Sequence, residues 1–107
     1  MSKKRMGQIE RRITRIKDAL EQIGPMRPGS LTRQYRNPKK RMGAYWQISY
    51  TRHMKSHTEY VHSESEPDIR KQIATYKRFI RLVEQWIDLS IERSKLRMQI
   101  AKEERSG

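Results

Sequence analysis

The sequence predicts an α+β fold: an N-terminal helix, a central β-hairpin or three-stranded antiparallel sheet, and a long C-terminal helix packed antiparallel to the first. Apolar stripes with helical spacing lie towards both ends of the 107-residue chain. Between them, residues 24–62 hold three of the four prolines and three of the five glycines, so no long helix fits there. We expect a single domain over residues 1–107, with a helix over 1–23, a basic loop and hairpin over 24–62, and a long helix over 63–107.

The N-terminal helix is indicated by apolar residues at alternating steps of three and four: Met6, Ile9, Ile13, Ile16, Leu20 and Ile23. This spacing puts them on one face and is regular enough for a coiled-coil seam. Ser2 is a suitable N-cap, and Gly24-Pro25 predicts the helix end. A lone helix of this length is marginal in water, so the stripe must pack against another surface.

The central segment contains three runs that favour extended structure, Ser30–Arg36, Ala44–Arg52 and Lys55–His62. The last two are rich in Tyr, Trp, Ile, Thr and Val and predict a hairpin across His53-Met54. That dipeptide differs from the Asn-Gly that two-residue turns favour. The first run would add a third strand.

The C-terminal helix begins with favourable chemistry, because Ser65 can cap it and Pro67 suits its first turn. A first apolar stripe follows at steps of four and three: Ile69, Ile73, Tyr76, Ile80, Val83 and Ile87. A second stripe runs beside it: Leu82, Trp86, Leu89, Leu96 and Ile100. Two stripes predict two packing surfaces, which could be the first helix, the sheet or a second copy of the chain.

The charge distribution predicts a polyanionic partner. Twenty-five Lys and Arg against 12 Asp and Glu give a formal net charge of +13. Residues 24–62 carry eight basic residues and one acid, Glu59, whereas the long helix is mixed in sign. Nucleic acid is the commonest polyanion, because neutralised phosphates release their counterions. We therefore expect nucleic acid to bind the central segment.

Strand alternation separates an apolar face from a polar one within Ala44–Arg52. Trp46, Ile48 and Tyr50 are expected to face the core, with Gln47, Ser49 and Thr51 outward as base-edge contacts or as an ordinary solvated face. Tyr45 would face outward and could stack on a base. The predicted nucleic-acid-binding residues are Arg27, Arg33, Arg36, Lys39, Lys40, Arg41, Tyr45, Gln47, Ser49, Arg52 and Lys55. Lys39-Lys40-Arg41 is the foremost phosphate contact among them.

Enzymatic and metal-binding classes lack support in the sequence. There is no cysteine, no Gly-rich phosphate loop and no Gly-x-Ser-x-Gly or His-Glu-x-x-His motif. His53, His57 and His62 are close in sequence but have no carboxylates or thiolates at ligand spacing. We expect no catalytic residue, no metal and no cofactor. No apolar run approaches the roughly 20 residues that span a bilayer, so we expect no membrane association and a cytoplasmic, nucleoid-associated protein.

Several short motifs carry a family resemblance. They are Pro28-Gly29-Ser30-Leu31 with Tyr35, Gly43-Ala44-Tyr45-Trp46 with Ser49, and Tyr76-Lys77-Arg78-Phe79-Ile80-Arg81-Leu82. This order resembles a family of small proteins encoded beside transposases and other mobile-element genes. Members carry a Cys-rich insert where this chain has Asn37-Pro38-Lys39-Lys40-Arg41-Met42, so a metal role is not implied here. The resemblance implies a mobile-element context, with DNA as the nucleic acid.

The sequence therefore predicts a non-catalytic DNA-binding accessory or regulatory subunit of a mobile-element or phage system. Its partners would be DNA rather than RNA, a second copy through the helices, and a larger recombinase, transposase or nuclease. Two alternatives remain open. One is an RNA-binding component of a ribonucleoprotein. The other is a helical adaptor that docks on a larger nucleic-acid enzyme.

Overall fold

The computed structural model describes residues 2–106 and has the expected α+β layout. Its elements in chain order are α1 (Ser2–Glu21), β1 (Ser30–Asn37), β2 (Met42–Arg52), β3 (Lys55–Val61) and α2 (Glu66–Ser106). The central element is thus the three-stranded form. Within residues 2–106, neither helix combines the length and apolarity needed to cross a membrane.

The residues group into two compact units. The first, called here the helical unit, consists of α1 and the part of α2 that begins at Arg78. The second, called here the sheet unit, consists of residues Gly24–Lys77 and so includes the first turns of α2.

In the helical unit, α1 and α2 run antiparallel, as the sequence predicted. Arg5 near the start of α1 bonds Glu92, whereas Lys17 near its end lies 5.8 Å from the ring centroid of Trp86. The buried core consists of Ile9, Ile13, Ile16 and Leu89, with Leu20, Leu82, Trp86 and Leu96 packed around it. The α1 stripe therefore packs against the second stripe of α2, and Trp86 anchors the core.

The sheet unit is a meander in the order β1-β2-β3 with both pairings antiparallel. Its buried core is Ile48, Val61 and Ile73, with Leu31, Trp46 and Ile69 packed around it. Ile69 and Ile73 begin the first α2 stripe, so that end of the stripe covers one face of the sheet. This side of the sheet is called the core face below.

A glycine is required where the chain enters the sheet. Gly29 has a φ of 146°, a region that side chains other than glycine rarely adopt. A Cβ added there would lie 2.7 Å from Cγ1 of Ile48, which is closer than carbon atoms can approach. The backbone at Gly29 therefore passes directly over the most buried residue of the sheet.

The hairpin across His53-Met54 is confirmed, although its residues are unfavourable. His53 has a φ of 53° and Met54 a φ of 63°, and the flanking residues Arg52 and Lys55 are paired. Positive φ at both central residues is the type I′ geometry that suits the twist of a hairpin. Asn and Gly adopt it with less strain, so the tertiary pairing of β2 with β3 overrides the local preference here.

Candidate nucleic-acid interface

The face of the sheet opposite the core face is uncharged and polar over most of its area. Because directly paired residues of an antiparallel sheet lie on the same side, the register defines this face. It is called here the outer face, and its members are Ser30, Thr32, Gln34, Tyr45, Gln47, Ser49, Thr51, Ser56, Thr58 and Tyr60. The predicted outward orientation of the polar side chains of β2 is therefore confirmed.

Hydrogen bonds within and between strands order the hydroxyls of the outer face. The Oγ1 of Thr32 donates to the backbone carbonyl of Gln47 at 3.4 Å, and the amide nitrogen of Gln34 donates to Thr32 Oγ1 at 3.2 Å. The hydroxyls of Ser49 and Thr58 lie 3.4 Å apart. The face thus presents short donors and acceptors in fixed positions, which is the chemistry that contacts to base edges use.

An aromatic group lies on the same face. The ring centroids of Tyr45 and Tyr60 are 6.0 Å apart, and Tyr60 meets His62 edge-on at 4.8 Å. Tyr60 is 55% exposed, so part of its ring is available to a ligand. Tyr45 was predicted from the sequence, whereas Tyr60 and His62 were not. The signal for them was the register of β3 against β2, which the sequence does not specify.

Three cations lie together in the turn between β1 and β2. Lys39, Lys40 and Arg41 are all exposed and follow Pro38 in a turn closed by the pairing of Asn37 with Met42. The backbone nitrogen of Lys40 donates to Asn37 Oδ1 at 3.3 Å, and Arg41 has a φ of 50°. No salt bridge within residues 2–106 uses these three cations. This segment is called the basic turn.

Arg36 extends the positive charge of the basic turn onto the sheet. It is exposed, and its Cβ would be 3.0 Å from a Cβ built on Gly43 of the neighbouring strand. Gly43 has a φ of 69°, so a side chain there would be strained as well as crowded. The glycine thus lets β2 leave the turn beside Arg36.

Arg52 and Lys55 lie at the other end of the sheet. They pair directly across β2 and β3 beside the His53-Met54 turn, and both are exposed. By strand alternation they fall on the same side of the sheet as Tyr50 and Ile48, so they lie at the uncovered end of the core-face side rather than on the outer face. The four residues Arg52–Lys55 are called the hairpin tip. Because β2 extends from Met42 to Arg52, the hairpin tip lies about 33 Å from the basic turn at about 3.3 Å per residue. The structure therefore separates the predicted cations into two groups rather than one patch.

Two further predicted arginines, Arg27 and Arg33, also lie on the core-face side of the sheet. Arg27 bonds Glu59 through both guanidinium ends at 3.3 and 3.4 Å, and its guanidinium carbon lies 5.2 Å from the ring centroid of Tyr50. Its charge is thus already compensated, which makes it a poor phosphate contact. Arg33 is exposed but pairs with Trp46 in the register and lies over the ring of Tyr35 at 5.9 Å.

The pKa values of this cluster follow from its hydrogen bonds. The hydrogen bond from Arg27, together with that from the Tyr50 hydroxyl, holds the pKa of Glu59 below its ordinary value. The Tyr50 hydroxyl donates to Glu59 at 2.9 Å, and this bond to a carboxylate raises the Tyr50 pKa. Glu59, the one acid of residues 24–62, is therefore bound within the core face and adds no free negative charge to the outer face.

Within residues 2–106, no three His, Asp or Glu side chains lie close enough together to hold a metal ion. His57 stacks on Tyr50 on the core face at 5.0 Å, whereas His62 contacts Tyr60 of the outer face. Trp46 is half-buried in the core cluster, with the Arg70 guanidinium 5.4 Å from its ring centroid. It is a core anchor, as predicted, rather than a free stacking surface.

No family model, no curated protein and no solved structure matches this chain. The resemblance to proteins encoded beside transposases therefore stays a prediction, and the function is inferred from the geometry of the outer face and its flanking cations.

Proposed function

We propose that this chain is a non-catalytic DNA-binding protein that places the outer face in the major groove. The observation that carries the proposal is the arrangement of the outer face: an uncharged surface of hydroxyl, amide and aromatic side chains, bounded at one end by Arg36 and the basic turn. The exposed cations of the hairpin tip lie at the other end of the same strands, on the core-face side. Uncharged donors and acceptors suit base edges, which carry no net charge. The cations at the ends suit the phosphates on either side.

The dimensions of the sheet support the major groove. Three strands at about 4.8 Å spacing put the axes of β1 and β3 about 10 Å apart, so side chains of the outer face, rather than the full width of the sheet, would enter a major groove about 12 Å wide. The major groove of A-form RNA is too deep and narrow for side chains to enter, so the same face favours B-form DNA. In this proposal the basic turn, with Arg36, contacts one backbone and the hairpin tip contacts another.

Base discrimination in this proposal belongs to Gln47 and its neighbours on the outer face. Gln47 lies in the central strand, between Thr32 of β1 and Tyr60 of β3. A side-chain amide can bond adenine in two places through the major groove. Ser49 and Thr58 would supply shorter contacts, and Tyr45 would pack at the edge of the recognised bases.

The biological setting is a further part of the proposal. The family resemblance favours an accessory or regulatory role in a mobile-element or phage system, beside a larger recombinase, transposase or nuclease. DNA binding of this kind would make the protein nucleoid-associated.

One alternative has an observation in its favour. Tyr45, Tyr60 and His62 form an aromatic group that is partly open to solvent. Unpaired bases stack on such groups, which favours single-stranded DNA or an RNA loop as the ligand.

Competition among nucleic acids tests the proposal. The full chain is titrated with a labelled duplex, and unlabelled duplex DNA, single-stranded DNA and structured RNA compete at several salt concentrations. Duplex DNA is expected to compete best. Stronger competition by single strands or RNA would favour the aromatic group instead, and no binding to any of them would overturn the proposal.

The contribution of the basic turn is tested with a charge-matched control. Replacing Lys39, Lys40 and Arg41 by Ala is expected to weaken binding and reduce the slope of log K against log salt by about 0.9 for each phosphate that is no longer neutralised. The control replaces three exposed cations of α1, Arg11, Arg12 and Arg15, by Ala. Equal losses of affinity in the two variants would mean that net charge, rather than the basic turn, holds the DNA.

A further inference from the structure

The helical unit leaves one apolar stripe of α2 without a partner. Ile87 is 48% exposed, Ile91 51% and Met98 65%, although the opposite side of α2 packs against α1. With Ile80 and Val83, these residues are called the open stripe. All of them except Ile80 line a shallow groove of about 540 Å³. The stripe extends over about 27 Å of helix at 1.5 Å per residue.

The spacing within the open stripe is that of a helix–helix contact. Ile80 and Ile87 are seven residues apart, as are Ile91 and Met98. A repeat of seven keeps one seam of a helix facing a neighbouring helix over several turns. An ordinary solvated face would carry charged side chains at these positions instead.

Charged residues along one edge of the open stripe are distributed unevenly. Glu84 and Asp88 flank its first half, Lys95 flanks its second half on the same edge, and Lys102 follows one turn beyond Met98. When two helices pack antiparallel, the same edge of each faces the other, so Glu84 in the first half meets Lys95 in the second half. In a parallel pair this edge would face the opposite edge, where Ser90 and Ala101 lie and no acid offers a partner.

We propose that the open stripe is the interface with a second copy of this chain, with α2 antiparallel to its counterpart about a two-fold axis near Ser90. This arrangement sets Glu84 of each chain close to Lys95 of the other. It also joins the two helices of each copy into a four-helix bundle, which is a common solution for helix pairs with a second apolar face. The interface is isologous, because one patch contacts the same patch.

A second copy fits the open stripe better than an unrelated protein, because acidic and basic residues beside the stripe can pair between two copies. A single patch holds both the acidic and the basic half, in the order that an antiparallel copy requires. The small buried core of the helical unit, which is Ile9, Ile13, Ile16 and Leu89, also gains most from a second apolar layer. This inference does not depend on nucleic-acid binding.

Single cysteines test the arrangement cleanly, because the chain has no cysteine of its own. Ser90→Cys is expected to form a disulfide-linked dimer under mild oxidation, because the position lies near the axis. Val83→Cys and Met98→Cys are each expected to remain unlinked alone and to link when mixed. In the antiparallel pair each would be about 20 Å from its own counterpart, beyond the reach of a disulfide. Self-linking of Val83→Cys would show a parallel pair and overturn the antiparallel interface.

The mass of the full chain in solution tests the dimer itself. Sedimentation equilibrium is expected to give twice 13.0 kDa for the unaltered chain and 13.0 kDa for Ile91→Glu. Gln85→Glu adds the same charge at an exposed position of α2 off the stripe and is expected to remain a dimer. Circular dichroism checks that Ile91→Glu keeps its helices. A monomer in the unaltered chain at all concentrations would overturn the proposal, and so would an unchanged mass for a folded Ile91→Glu.

Charge exchange tests the register. Glu84→Lys and Lys95→Glu are each expected to weaken the dimer, and the two changes in one chain are expected to restore it. Failure of the double variant to recover any affinity would contradict the pairing of these two residues.

Discussion

The helical unit and the sheet unit leave opposite kinds of surface without a partner. In the helical unit, Arg5 pairs with Glu92 and Arg93 with Glu10, whereas Arg11, Arg12 and Arg15 make no salt bridge within residues 2–106. The exposed apolar side chains of α2 form one continuous stripe in this unit. In the sheet unit the large exposed apolar side chains are scattered, whereas the cations of the basic turn and the hairpin tip have no acid beside them. The sheet unit therefore differs from the helical unit because its unpaired cations lie beside an uncharged polar face, which the net charge of +13 does not reveal.

The two surfaces favour partners of different chemistry. An apolar stripe gains by leaving water, so it favours a protein surface. Uncompensated cations beside an uncharged polar face gain from a polyanion, so they favour nucleic acid.

The largest effect is expected from Gly29→Ala, which would destabilise the sheet unit that carries the outer face. The added Cβ would overlap Ile48, and the backbone would be forced into a φ that alanine rarely adopts. We expect a loss of about 2 kcal/mol or more in the free energy of unfolding, measured by urea denaturation. Gly24→Ala is the matched control, because no atom lies within 4 Å of a Cβ built there. Similar losses in both variants would mean that the close approach to Ile48 is not important.

A smaller effect of opposite sign is expected at the hairpin tip. Asn at position 53 and Gly at position 54 would adopt the positive φ angles of His53 and Met54 with less strain. The cations Arg52 and Lys55 stay in place. We expect a gain of about 1 kcal/mol in thermal or urea denaturation. Unchanged DNA affinity would assign this end of the interface to the cations, whereas a large loss would show that His53 or Met54 contacts the ligand.

Repulsion among the unpaired cations of the basic turn should lower the stability of the protein in the absence of DNA. Replacing Lys39, Lys40 and Arg41 by Ala removes repulsion among neighbouring cations, so the free energy of unfolding should rise by about 0.5 kcal/mol at low salt. The gain should vanish at about 1 M salt, where charges are screened within about 3 Å. A loss of stability at low salt would contradict the view that these cations are uncompensated.

The smallest effect concerns the paired charge of the core face. Because the folded pKa of Glu59 lies below its ordinary value of about 4.3, its contribution to stability is present above that pH. The contribution is lost as the pH falls through the lower folded value. Glu59→Gln should therefore reduce the difference in unfolding midpoint between pH 7 and pH 3. Glu64→Gln, at an exposed position, is the control, and equal changes in the two variants would contradict a role for the contact with Arg27.

Much of the fold could be predicted from periodic patterns. The α1 stripe and the second α2 stripe meet in the core of the helical unit, and the alternation around Ile48 gave the correct faces of β2. Patterns of this kind depend only on the geometry of one element. The predicted third strand is also present, because Leu31 fits beside Ile48.

Features that depend on pairing between elements could not be predicted. Tyr60 joined the candidate interface only through its register beside Gln47. Arg27 was predicted to contact nucleic acid and is bound by Glu59, which is 32 residues away in sequence. In the part of the first α2 stripe beyond Ile73, Ile80 and Ile87 are exposed in the single chain, and packing of this part against a second copy stays a prediction.

Methylation interference is the decisive measurement for the placement of the outer face in the major groove. DNA selected by the full chain from a random duplex library is methylated, and bound and unbound fractions are compared at each base. We expect methylation of guanine N7, in the major groove, to prevent binding at a short run of positions, and methylation of adenine N3, in the minor groove, to leave binding unchanged. Interference confined to adenine N3, or failure to select any duplex, would contradict a sheet face placed in the major groove.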